Sequence, residues 1–93
     1  MTQKINNADV YKIAAHHRFQ WEEAQNCYVI LFPEGMVKLN PSGGEILSLV
    51  NGENSVADII SSLNEKFKDA GDISNDIISM FEFALEKAWI TKI

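Results

Sequence analysis

An α+β domain is the fold class the sequence predicts, with a three-stranded antiparallel sheet followed by a bundle of three helices. Three observations carry that expectation. Residues 18–39 are short runs of β-formers separated by turn residues. From residue 40 onward the apolar residues recur at helical spacing behind capping signals. The handover lies within Phe32–Gly52, where a turn, a short extended segment and a capped helix follow one another.

Arg18–Glu22 alternates, placing Phe19 and Trp21 on one face and Arg18, Gln20 and Glu22 on the other, the pattern of a half-buried strand. Glu23–Asn26 is a polar connection, and Cys27–Phe32 is a continuous apolar run suited to a central strand. Pro33-Glu34-Gly35 closes a hairpin, because proline pre-sets φ and glycine tolerates positive φ. Met36–Leu39 is the third strand, expected to bury Val37 and Leu39 while Met36 and Lys38 face outward; a slip of one residue would invert this.

Asn40-Pro41 starts the first helix, with asparagine as N-cap and proline where its missing N–H costs nothing. Ser42 and Glu45 offer a competing start two residues later. Ile46, Leu47, Leu49 and Val50, stopped by Asn51-Gly52, extend it to about three turns. Ser55 with Asp58 forms a capping box ahead of the stripe Val56, Ile59, Ile60, Leu63 and Phe67. Gly71 ends this segment, and Asp72 or Ser74 caps a third helix running to about Ala88, with Trp89-Ile90 as a late apolar anchor.

That third helix carries more apolar surface than a core needs. At about 100° per residue, Ile77, Phe81, Ala84, Leu85 and Ala88 share one stripe. Met80 and Phe83 fall outside it, among Asp76, Ser79 and Lys87. Either they cover a terminal segment or a partner subunit, or are scattered surface residues, or they form one wall of a groove for an apolar ligand. The third strand supplies a second wall, since it is an edge of the meander. Its shortness and Lys38 fit protection against aggregation. An edge beside an apolar helix is equally the arrangement for adding a peptide strand.

The chain has 93 residues, 46% hydrophobic and 23% charged, which fits one domain with a single core. Residues 1–17 are polar and weakly periodic, with at most a helical turn over Asp9–Ala15, and read as a flexible N-terminal arm before a domain of residues 18–93. The lone Cys27 leaves no internal disulfide or multi-cysteine metal site and fits a reducing, cytoplasmic setting. There is neither a signal-peptide run nor a membrane-spanning stretch. A net charge of −5 disfavours nucleic acid and anionic membranes as partners.

Signs of catalysis are missing. Gly43-Gly44 lacks a phosphate-loop lysine and is read as allowing close approach of the first helix to another backbone. Cys27 sits in a buried-type strand, His16-His17 lack a sequence-local partner, and adjacent side chains diverge. No carboxylate pair sits in an evident apolar pocket. The expectation is a protein that is not an enzyme and needs no cofactor.

Over residues 18–90 the chain resembles the pyrroloquinoline quinone (PQQ) biosynthesis protein D family. The resemblance is densest in Arg18-Phe19-Gln20-Trp21-Glu22-Glu23-Ala24-Gln25, in Phe32–Asn40 and from Ile46 to Ile60, and the final Ala88-Trp89-Ile90 supports it. Gly43-Gly44 departs from it where at least one alanine is expected. The resemblance implies a winged helix-turn-helix-like domain without catalytic activity. It implies binding of the ribosomally made precursor peptide of PQQ and its presentation to a radical S-adenosylmethionine (radical SAM) enzyme, which joins a glutamate and a tyrosine of that peptide. It places the peptide between the third strand and the third helix, which maps to Met36, Val37, Lys38 and Leu39 on one wall. Asp76, Ile77, Met80, Phe83, Ala84 and Lys87 map to the other. Some relatives of that kind are dimers, and a free edge or N-terminal arm leaves strand exchange open as a route to a homodimer.

Two rival readings come from other classes. A winged-helix DNA-binding protein would also join three helices to a small sheet. Against it, the third helix has Lys87 as its clear basic residue beside Asp76, Glu82 and Glu86. A catalytic subunit using Cys27 would need a reactive thiol, which a buried strand position does not favour.

Overall fold

The structure, a computed structural model, describes residues 5–93. Its elements in order are β1 (Tyr11–Ile13), β2 (Arg18–Glu22), β3 (Cys27–Phe32), β4 (Gly35–Lys38), α1 (Pro41–Ser48), α2 (Val56–Lys66), a single 3-10 turn (Lys68–Ala70), α3 (Ser74–Glu86) and β5 (Ile90–Lys92). The strands β2, β3 and β4 form the expected antiparallel meander in that order. Phe19 pairs with Ile30, and Ile30 with Val37. Phe19 and Trp21 do share a face and both lie against the Tyr28 ring, at 4.7 and 5.1 Å between centroids. Trp21 stands at the rim and is exposed rather than covered. Cys27 is half-buried, not buried as expected, because it opens β3 at the end of the sheet opposite Glu22.

Asn40 caps α1 as the sequence predicts: its Oδ1 accepts the Gly43 N–H at 2.7 Å, and Pro41 occupies the first helical position. The competing start is not used, and Glu45 pairs with Lys66 at 2.7 Å instead. α1 ends at Ser48, a turn short of the expected stop, because Leu49 and Val50 already donate to Ile46 and Leu47 three residues back. The Ser55–Asp58 capping box forms in both directions. Val56, Ile59 and Leu63 are buried from that helix, while Phe67 has left it and is exposed. At the start of α3, Asp72 accepts both the Ser74 N–H and its hydroxyl. These bonds hold the Asp72 carboxyl below the usual range. The core gathers Ile30 of the sheet, Ile46 and Leu47 of α1, the α2 stripe, and Ile77, Phe81 and Ala84 of α3.

The N-terminal segment requires a correction. Residues 1–4 of the expected arm lie outside the described residues. Tyr11–Ile13 is not an arm but a strand, paired antiparallel with Ile90–Lys92 in a separate two-stranded ribbon. Around it the chain is tied down by the Val56 N–H to Asp9 O, Gly52 N–H to Tyr11 O and Ile93 N–H to Val10 O bonds. The physical reason is burial: Tyr11 enters the core and packs on Phe81 at 5.5 Å. Its hydroxyl donates to Asp9, which also accepts the Asn6 N–H and pairs with Lys92 at 3.3 Å. The domain therefore begins well before residue 18.

This clasp makes stability depend on pH in two directions. Burial, reinforced by the adjacent Asp9 carboxylate, pushes the Tyr11 phenol from 10.0 up to about 12. The folded state thus holds that proton more tightly, so the contribution is complete below the unfolded value and is lost as pH rises from about 10 through about 12. Asp9 behaves oppositely. Burial would raise it, but the Asn6 N–H, Lys92 and the Tyr11 hydroxyl together hold its carboxyl below the ordinary value. Its contribution is present above the ordinary carboxyl range and lost as pH falls through the folded value. Urea midpoints measured against pH are expected to fall on both flanks. Tyr11→Phe is expected to remove the part of the alkaline loss due to the phenol.

Candidate functional site: the groove between β4 and α3

β4 is an edge strand: its one neighbour is β3, and the described N-terminal strand pairs elsewhere. The Leu39 N–H donates to Tyr28 O at 2.9 Å. Backbone groups alternate along an antiparallel strand, so Val37 and Gly35 also face β3. The N–H and C=O groups of Met36 and Lys38 consequently point away from the sheet. The expected side-chain register also holds, with Leu39 buried, Val37 half-buried, and Met36 and Lys38 exposed.

Facing this edge across a groove of about 660 Å³ is α3. Val37, Lys38 and Leu39 line one side, and Met80, Phe83 and Lys87 line the other. Phe83 is 46% exposed, an expensive place for a phenylalanine unless something covers it. It is held in position rather than free, with the Trp89 ring edge-on at 5.4 Å and the Lys87 Nζ 5.5 Å above it. Met80 is half-buried, and its methyl group would lie 3.3 Å from a Cβ at Gly43.

Six of the ten residues singled out from the sequence therefore meet in this groove. The other four do not line it. Ile77 and Ala84 are buried in the core, as their helical stripe requires, and Ile77 reaches only the neighbouring second groove. Asp76 is exposed along that second groove, and Met36 is exposed outside both. Sequence reasoning missed Phe32, Glu34, Asn40 and Trp89, which complete the lining, and considered His17 only as a metal ligand. His17 lies 5.8 Å from the Phe32 ring, and its Nδ1–H donates to the Ala15 carbonyl at 2.9 Å. Trp89 carried a signal, an aromatic just past the helix. Its route back into the groove needs the turn at Ala88.

Among the described residues, no three His, Cys, Asp or Glu side chains are grouped to hold a metal ion. No described helix is long and apolar enough to cross a membrane. Chemically, the groove can pair with an extended backbone along one wall and cover apolar side chains along the other.

Residues 27–90 match the family model described as coenzyme PQQ synthesis protein D (PqqD). A "PqqA binding protein" of Azotobacter vinelandii is 46% identical over 82 residues, 88% of this chain and 89% of that one. One of the same name from Pseudomonas paraeruginosa is 52% identical over 73 residues, 78% and 79% of the two chains. The solution NMR structure of the PqqD truncation of Methylobacterium extorquens PqqCD superposes with a TM-score of 0.76 at 27% identity over 95% of both chains. That protein is described as a functional, stand-alone recognition element for ribosomally synthesised and post-translationally modified peptides. The family match takes in β3, β4, all three helices and the first residue of β5, and so includes both walls of the groove. By sequence and by fold, this chain belongs to the PqqD family.

Proposed function

We propose that this protein binds a PqqA-type precursor peptide by strand addition to β4 and presents it to the radical SAM enzyme of PQQ biosynthesis. It acts by binding and delivery, not by catalysis, and works in the cytoplasm. The observation that carries the reading is the free β4 edge beside the exposed Met80–Phe83 wall. The names of the relatives support the choice of peptide.

An unstructured peptide forms main-chain bonds to Met36 and Lys38 and covers Phe83 with an apolar side chain. Ordering such a peptide costs several kcal/mol, so an affinity near ~1 μM, about 8 kcal/mol, is expected. Moderate affinity suits a carrier that releases its product. A homodimer formed by strand exchange through β4 would compete with the peptide for the same edge.

Titrating labelled protein with a synthetic PqqA peptide, followed by amide shifts, tests the reading. The largest shifts are expected at residues 36–39 and 80–87. Phe83→Asp should weaken binding about tenfold, since it removes roughly half of a phenylalanine's burial energy, about 1–1.5 kcal/mol. Its effect on stability should be small, because the ring is already half in water. Shifts confined to the β1–β5 ribbon or to β2 would overturn the assignment.

A further inference from the structure

The protein is acidic, with a net charge of −5, yet the groove between β4 and α3 is not. Lys38 lines it from the strand and Lys87 from the helix, with His17 in the same lining and Glu34 as its one carboxylate. Among the described residues neither lysine has a carboxylate within ion-pair distance, although Lys66, Lys68 and Lys92 all do. Two lysines are thus left unneutralised on opposite walls of one groove in a chain with an excess of acids.

A second groove of about 710 Å³ adjoins the first, sharing Asn40, Met80 and Phe83 as lining, and there the charge reverses. Glu45 and Asp76 line that part without any lysine, arginine or histidine. Glu45 is tied to Lys66, while Asp76 has no cationic partner among the described residues. The two adjoining grooves are therefore positive at the Lys38–Lys87 end, apolar at the shared Met80 and Phe83, and negative at Asp76.

Spacing along α3 turns this polarity into a sequence requirement. Phe83 and Lys87 are one helical turn apart, about 6 Å along the axis. Residues i and i+2 of an extended peptide are about 6.7 Å apart and point the same way. A strand lying along the groove can therefore set one side chain on Phe83 and the next one on that face beside Lys87.

We infer that the groove selects an acidic peptide segment, in which a carboxylate two residues from a large apolar side chain lies at the Lys38–Lys87 end while the apolar side chain packs on Met80 and Phe83. This rests on the peptide-binding reading above and adds the chemistry and register of what is bound. It also sets the direction in which the peptide lies, since a carboxylate at the opposite end would face Asp76. Lys87 is partly occupied by the Phe83 ring, and an incoming carboxylate adds to that contact rather than replacing a stronger ion pair.

The test pairs protein variants with peptide variants. Lys38→Gln/Lys87→Gln keeps most of both stems and removes both charges. Lys12→Gln/Lys68→Gln removes the same charge at exposed sites that do not line the groove. Each protein is titrated with a synthetic PqqA peptide and with versions in which each carboxylate in turn is replaced by its amide. The groove variant is expected to bind the parent peptide about fivefold more weakly at low salt, and the remote control to bind it nearly unchanged. One amide replacement, two residues from an apolar side chain, should weaken the wild type about fivefold and leave the groove variant unaffected. The inference is overturned if peptide binding persists and no carboxylate behaves in this way, or if the remote control loses as much affinity. If the wild-type protein does not bind the peptide at all, the underlying reading falls together with it.

Discussion

Lys38→Pro is expected to fold like the wild type and to lose most of its affinity for the precursor peptide, whereas Val37→Pro is expected to damage the fold itself. The two sites are adjacent, and the difference comes from the alternation of the ladder. The Leu39 N–H is bonded to Tyr28 O, which turns Val37 toward β3 and Lys38 toward the open edge. Proline at 38 gives up an N–H that the sheet does not use, a position where edge strands tolerate it. It also puts a ring methylene where an incoming carbonyl would sit. One hydrogen bond is lost and the partner's acceptor is stranded, about 2–3 kcal/mol together, or roughly 30- to 150-fold in affinity. Proline at 37 instead removes the donor facing Ile30, a fully buried residue, at a cost of about 1–3 kcal/mol before any steric strain. Calorimetric titration with the peptide, beside urea denaturation of each variant, reads both quantities. Retained binding in a folded Lys38→Pro protein would exclude pairing through β4.

The meander and the three helices were legible because their signals are local. Alternation in Arg18–Glu22, the β-forming run of Cys27–Phe32, the Asn40-Pro41 cap and the Ser55–Asp58 box each act within a few residues. The β1–β5 ribbon was not legible, since each of its strands has three residues, too short to show a period. Its pairing joins Tyr11 to Lys92 across nearly the whole chain, and the buried Asp9 made the segment look solvated. The end of α3 was hidden for another reason. Ala88 takes the left-handed conformation at φ 61°, and the Trp89 N–H bonds back to Ala84 O, a stop usually marked by glycine. That turn brings Trp89 onto Phe83.

The same contrast holds at the groove. Met80 and Phe83 could be found because they are apolar residues off the core stripe of an amphipathic helix, and Val37 and Lys38 because they lie on a short edge. His17, Phe32 and Trp89 reach the groove from three other parts of the chain, and no spacing rule links them. Ile77 and Ala84 differ from them. They lie on the groove helix, but their angle around it buries them in the core, and Ile77 reaches only the second groove. A helix wall is made by angle, not by membership of the helix.

Gly44→Ala is expected to destabilise the fold, although alanine is the better helix former. Gly44 is buried in α1, where the helix crosses β3, and a Cβ there would lie 2.6 Å from Tyr28 Cδ2 and 3.2 Å from its Cβ. The ring cannot simply swing away, because Phe19 stacks on one part of it at 4.7 Å and Trp21 meets it edge-on at 5.1 Å. Relief must come from moving α1 off the sheet, which also shifts Asn40 and so the end of the groove wall. Overpacking of this kind costs about 1–3 kcal/mol, and the helix propensity of alanine returns at most about 1 kcal/mol. With the full return, a net loss of up to about 2 kcal/mol remains, a fall of up to roughly 16 °C in Tm for a domain of this size. Tyr28→Ala should make room for the new methyl group, so the double variant should be more stable than the two single losses added together. Additive losses in thermal or urea unfolding would show that Gly44 is needed for something other than clearance of the Tyr28 ring.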